Sequence, residues 1–278
     1  MSKYSEIELN NLKTYSIRDR LSKVEKSSFA QKGKVETGSL LDAMPDILSA
    51  KDLKELVLAV QNAKAAGKPI ILGMGGHVVK CGLAPLIIEM MEAGFVSAIA
   101  VNGSVSIHDY ELAFYGQTSE DVSLALADGS FGMAFETSMG INKAITHGSK
   151  AGMGYGESLG KEILRKAPNC ELSVLGMAYK YDVPVTVHVA IGTDIVHQAP
   201  CADGKAIGDC SLRDFRILCN MVSKLDSGGV FLNFGSAVII PEVFLKALTV
   251  ARNITGQVKD FTTRSEERRV GKECRSRW

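Results

Sequence analysis

Four short apolar runs constrain this chain more than any other feature. They are Pro69-Ile-Ile-Leu-Gly73, Ser97-Ala-Ile-Ala-Val101, Pro184-Val-Thr-Val-His188 and Gly229-Val-Phe-Leu-Asn233, and each is followed by glycine and polar residues. A run this short and this uniformly apolar reads as a strand covered on both faces. Between the runs the apolar spacing changes to three and four. In KDLKELVLAVQNAKAAG, residues Leu53, Leu56, Val57, Val60 and Ala63 share one helix face, and Gly67-Lys68-Pro69 stops it. Helical spacing recurs at 78–91, 131–149, 156–167, 171–182, 211–225 and 240–252, and a fifth strand is expected at 257–261. Strands alternating with long helices require crossover connections. The expected fold is therefore α/β and Rossmann-like, a mainly parallel sheet with helices on both faces.

Composition narrows the function classes. With 278 residues, 46% of them hydrophobic, the chain can bury a sizeable core and is not a disordered polymer. No apolar run reaches the roughly 18 residues that span a bilayer. The start, MSKYSEIELNNLKTYSIRDR, lacks the apolar stretch of a secretory signal. Cys81, Cys170, Cys201, Cys210, Cys219 and Cys274 show no Cys-x-x-Cys spacing and read as reduced thiols. These features point to a cytoplasmic protein. A formal net charge of +1 gives no reason to expect nucleic acid or a membrane as partner.

Three segments are expected: an N-terminal arm over 1–50, an α/β domain over 51–263, and a tail over 264–278. The tail, RSEERRVGKECRSRW, holds six basic and three acidic residues and the chain's one tryptophan. It resembles the in-frame translation of a sequencing adapter, so the expectation is that the native chain is interrupted near Thr263. Without the tail, 26 basic and 28 acidic residues remain, a net charge of −2.

Ligands of open parallel sheets bind beyond the carboxyl ends of the strands. Here those ends carry Gly73, Gly75, Gly76 and His77; Asn102, Gly103 and Ser104; Gly192, Thr193 and Asp194; and Asn233, Gly235 and Ser236. Glycines admit close backbone approach, and a helix opening at such a turn suits phosphate. Together the four clusters suit a dinucleotide, although Gly73, Gly75 and Gly76 do not have the G-x-G-x-x-G spacing. His108, Asp109 and Glu111, just past the second strand, are candidates for a base or for holding a cationic substrate. His188, Asp194 and His197 offer an alternative metal site, as Asp-x-x-His places two ligands on one helix face.

These segments resemble the deoxyhypusine synthase family over residues 68–262. ILGMGGHVVKCGL resembles its first nucleotide-binding turn, with His77 in place of an asparagine that contacts the cofactor. AIAVNGSVSIHDYEL resembles the strand and acidic residues that face the polyamine. LGKEILRKAPNCELSVLGMAYKYDVPVTVHVAIGTD resembles two helices, a strand and an Asp-Gly-Ser-like turn. GVFLNFGSAVII resembles the strand bearing a triple glycine. The resemblance implies an NAD-binding protein, a divergent aminoalkyl (aminobutyl) transferase or amine dehydrogenase. It would act on an amine or polyamine such as spermidine, with a protein lysine as acceptor and a homo-oligomeric state. Two family features have no counterpart: the stretch after Gly235 contains no histidine, and the lysine that forms the imine would fall beyond Thr263. The alternative is a non-redox nucleotide-binding module or a metal-dependent hydrolase on the same fold.

Overall fold

The computed structural model describes residues 9, 12–20, 22–28, 41 and 43–266. Its centre is a five-stranded sheet of β2 (Ile70–Met74), β3 (Ala98–Asn102), β5 (Val185–His188), β6 (Gly229–Phe234) and β7 (Phe261–Glu266). The strands run parallel in the order β5-β3-β2-β6-β7. The order therefore reverses between β2 and β6, as in doubly wound nucleotide-binding folds. A separate antiparallel pair joins β1 (Ser22–Glu25) to β4 (Gln117–Glu120).

Side-chain alternation along each strand divides the core in two. Ile70, Leu72, Met74, Ile99, Val101, Val230 and Leu232 face one side. There they meet α1 (Leu48–Ala65), α2 (Gly76–Lys80), α3 (Ala84–Glu92), α4 (Gly103–Tyr115), α6 (Phe135–Lys150), α7 (Tyr155–Lys166) and α8 (Val174–Lys180). Ile71, Ala98, Ala100 and Phe231 face the other side, against α9 (Gly204–Val222) and α10 (Ile239–Thr255). Ala98 and Ala100 leave room there for Phe231 to stack on Phe244 at 3.8 Å between ring centroids.

The edge strand β5 is closed by side chains of α9. Asp214 accepts from the Val187 N–H at 2.7 Å, and Ser211 donates to the Val187 carbonyl at 2.9 Å and accepts from the Val189 N–H. The polar backbone of an exposed edge is thus satisfied without another strand.

Several expected boundaries move. The helix expected over 78–91 is two, α2 and α3, broken at Cys81–Leu83, where Gly82 has φ +82°. The expected strand at 257–261 is β7, four residues later. It continues through Arg264–Glu266, the first residues of the segment read as a tail, in register with Leu232–Phe234. Residues 267–278 lie outside the described residues, as do the first residues of the arm and most of 29–42. The described part of the arm packs on the body: Ile17 is fully buried, and Tyr15 bridges to Ala134. Two helices have no counterpart in the sequence reading, α4 and, after β4, a short α5 (Val122–Asp128).

Candidate functional site at the carboxyl edge of the sheet

The four strand-end clusters meet in space. A Cβ on Gly75, after β2, would overlap the carbonyl oxygen of Gly235, after β6. One on Gly76 would lie 2.6 Å from Ser104 Oγ, and one on Gly103, at the start of α4, would overlap the carboxylate of Asp194. Three of these glycines are thus required by the approach of neighbouring protein loops. Gly235 differs: its φ is +71°, and a Cβ there would meet nothing closer than 3.6 Å. His77 is exposed beside it.

Several polar members of the clusters cap helices. Asn102 Oδ1 accepts from the Val105 N–H and the Ser104 hydroxyl, closing the first turn of α4. Ser236 Oγ accepts from the Ile240 N–H at the start of α10. Asn233 is buried and its amide donates to the Ser236 carbonyl and to Ser265 Oγ, both at 2.8 Å. Gly192 and Thr193 lie in an exposed turn, with Gly192 at φ +98°.

The acidic pair is not placed as expected. Asp109 is fully buried, and its carboxylate accepts from Ser173 Oγ, the Val174 N–H at 2.7 Å and the Leu175 N–H at 3.1 Å, capping α8. Burial still pushes its pKa up to about 6, against those bonds. Glu111 is 1% exposed and accepts from Arg20, Thr118 and Thr137. Both carboxylates are committed to protein donors, so neither is offered to a polyamine in this arrangement. Arg20, in the arm, is the partner that sequence reasoning missed, and nothing local to it marks it out.

Of the three residues proposed past β3, His108 and Glu111 reach a cavity, and the Glu111 carboxylate is already bonded to protein donors. His108 lines this cavity of about 240 Å³ with Arg20, Lys80, Ser104, Glu111 and Asp194. Its Nδ1 lies 2.8 Å from Thr118 Oγ1, and burial, opposed by Glu111, lowers its pKa to about 4. Lys80 has no ion pair with a described residue. Asp194 Oδ2 and His197 Nε2 are buried without hydrogen-bond partners, 3.9 Å apart. Burial pushes Asp194 up to about 6. His197 Nδ1 accepts from the Gly192 and Asp194 N–H groups, and His188 bonds Thr186 within its own strand. The His188–Asp194–His197 metal reading therefore has two of its three side chains turned to other partners. Among the described residues no three such side chains converge.

The fold and this edge define an α/β protein of the Rossmann-like, doubly wound class. No protein-family model and no curated protein matches the chain. Among solved structures, a conserved protein assigned as LOR/SDH from Methanococcus maripaludis is 14% identical over 91% of this chain and 68% of its own, with a TM-score of 0.43. AgrE in a ternary complex with ornithine and NAD+ is 15% identical over 73% of this chain, with a TM-score of 0.40; this chain spans 33% of it. A protein assigned as a deoxyhypusine synthase from Entamoeba histolytica is 14% identical over 62% of this chain and 59% of its own, with a TM-score of 0.40. With TM-scores below 0.5, these likenesses assign neither a family nor an activity to this chain. Among the described residues no helix is long and apolar enough to cross a membrane.

Proposed function

We propose that this chain is an NAD-dependent enzyme acting on an amine, with the dinucleotide along the carboxyl edge of the sheet and the amine in the adjoining cavity. The observation that carries the reading is the strand-order reversal between β2 and β6, with four glycine-bearing loops gathered at one edge beside that cavity. NAD, when bound, supplies a hydride acceptor. Gly235, in the left-handed backbone region at φ +71°, and His77 beside it are the residues best placed to meet it. Asp194 lines the cavity, and its Oδ2, buried without a hydrogen-bond partner, is an acceptor for a ligand hydroxyl or ammonium group. The finer reading is aminobutyl transfer from a polyamine to a protein lysine, and the sequence resemblance alone supports it.

Calorimetry with NAD tests the proposal, followed by absorbance of reduced nicotinamide when spermidine is added. Binding of NAD with amine-dependent reduction is expected. No NAD binding by the folded protein would remove the assignment, and binding without reduction would remove the amine.

A further inference from the structure

Behind His108 lies a chain of hydrogen bonds whose direction can be worked out. Arg20 Nη1 and Nη2 donate to Glu111 Oε1 and Oε2 at 3.0 and 2.8 Å. Thr137 Oγ1 donates to Oε1 at 2.9 Å, and Thr118 Oγ1 donates to Oε2 at 2.5 Å. A carboxylate paired with a guanidinium only accepts, and a hydroxyl has one hydrogen to give. The Thr118 hydrogen is therefore committed to Glu111. The other contact of Thr118 Oγ1, at 2.8 Å from His108 Nδ1, must then have the imidazole as donor. His108 is held with its proton on Nδ1, leaving the lone pair on Nε2.

We propose that Arg20, Glu111 and Thr118 form a positioning device that fixes this tautomer. It makes His108 Nε2 the acceptor that the cavity offers to a ligand N–H or O–H. His108 is the residue that touches the ligand, and the three behind it act through the ring. The same arrangement accounts for a puzzling economy of sequence: His108 and Glu111, three residues apart on α4, bond to one side chain of β4. Burial above all opposes a proton on Nε2; the charges of Lys80, in the same cavity, and of Arg20 add to it, and Glu111 acts the other way. A ligand hydrogen therefore meets a neutral acceptor. The inference is independent of NAD, because it concerns the protein alone.

Nitrogen-15 NMR of the imidazole rings in the ligand-free protein tests it. Wild-type His108 is expected to show a protonated Nδ1 and an unprotonated Nε2 near neutral pH. Thr118→Val keeps the side-chain shape and removes the acceptor, and its Nδ1 resonance should move toward the unprotonated position. Thr118→Ser should restore the wild-type pattern. If Thr118→Val does not fold, the wild-type and Thr118→Ser spectra decide alone. A wild-type ring protonated on Nε2 would overturn the proposal, as would a folded Thr118→Val protein with the wild-type tautomer.

Discussion

Arg20 and Glu111, 91 positions apart, form a two-point ion pair with side chains 5% and 1% exposed. The pair ties the N-terminal arm to the middle of α4. It also places a carboxylate behind Thr118 and His108, so one interaction serves both the fold and the cavity.

Breaking this pair from one side strands a buried charge. Arg20→Met should lower stability by about 3–5 kcal/mol in urea unfolding. Arg20→Met combined with Glu111→Leu should cost less than the sum of the two single changes, because the partners are coupled. A loss below about 1 kcal/mol for Arg20→Met would show a pair open to water.

Asp109 should behave as a helix cap. Asp109→Ala leaves the Val174 and Leu175 N–H groups unpaired, at a cost of about 1–3 kcal/mol. Melting temperature and spermidine titration separate this from a ligand role. The melting temperature should fall, while affinity per folded molecule stays at the wild-type value.

Two glycines in contact should lose stability for different reasons. Gly75→Ala drives a Cβ into the Gly235 carbonyl and should cost about 1–3 kcal/mol or more. Gly235→Ala makes only ordinary contacts, the nearest with Val78 Cγ2 at 3.6 Å, and its cost is the left-handed backbone, about 1–2 kcal/mol. If NAD lies against Gly235, calorimetry on that folded variant should show at least a tenfold loss of affinity. An unchanged affinity would move the cofactor away from β6.

Asp214 gives a pH signature. Burial raises its pKa from 3.8 to about 7, although the Val187 and Gly156 N–H groups favour the charged form. Folding therefore favours the protonated carboxyl. This contribution is fully present below the unfolded pKa near 3.8 and is lost as pH rises through about 7. Asp214→Asn removes the titration and can keep an oxygen toward both N–H groups. Urea midpoints at about pH 5 and about pH 8 should show the variant gaining on wild type at the higher pH. His108 and His188, each lowered to about 4, contribute in the other direction, with stability falling as pH drops below 6.5. Both proteins share that effect, so it cancels in the comparison.

Strand positions were legible because a strand buried on both faces needs a short apolar run, and those runs stand in the sequence. Helix α4 was not legible, for the converse reason. Ser106, Asp109 and Glu111 are buried on it with Val105, Ile107 and Leu112, so no polar stripe marks a solvent side. The same polar residues invited a reading as ligand contacts, since a buried carboxylate and a ligand-binding one look identical until the partners are known.

By itself the sequence determined the class of fold and the glycine-bearing turns at the strand ends. Those depend on residues close together in the chain, where periodicity and backbone freedom act locally. Only the tertiary structure decided what each polar group faces. Arg20 reaches Glu111, Ser173 and the start of α8 reach Asp109, and Asp194 reaches Gly103 across separations of 91, 64 to 66 and 91 positions. Whether a buried charge is spent on the fold or left for a ligand is set by such distant partners, since low-dielectric surroundings force each charge to find one.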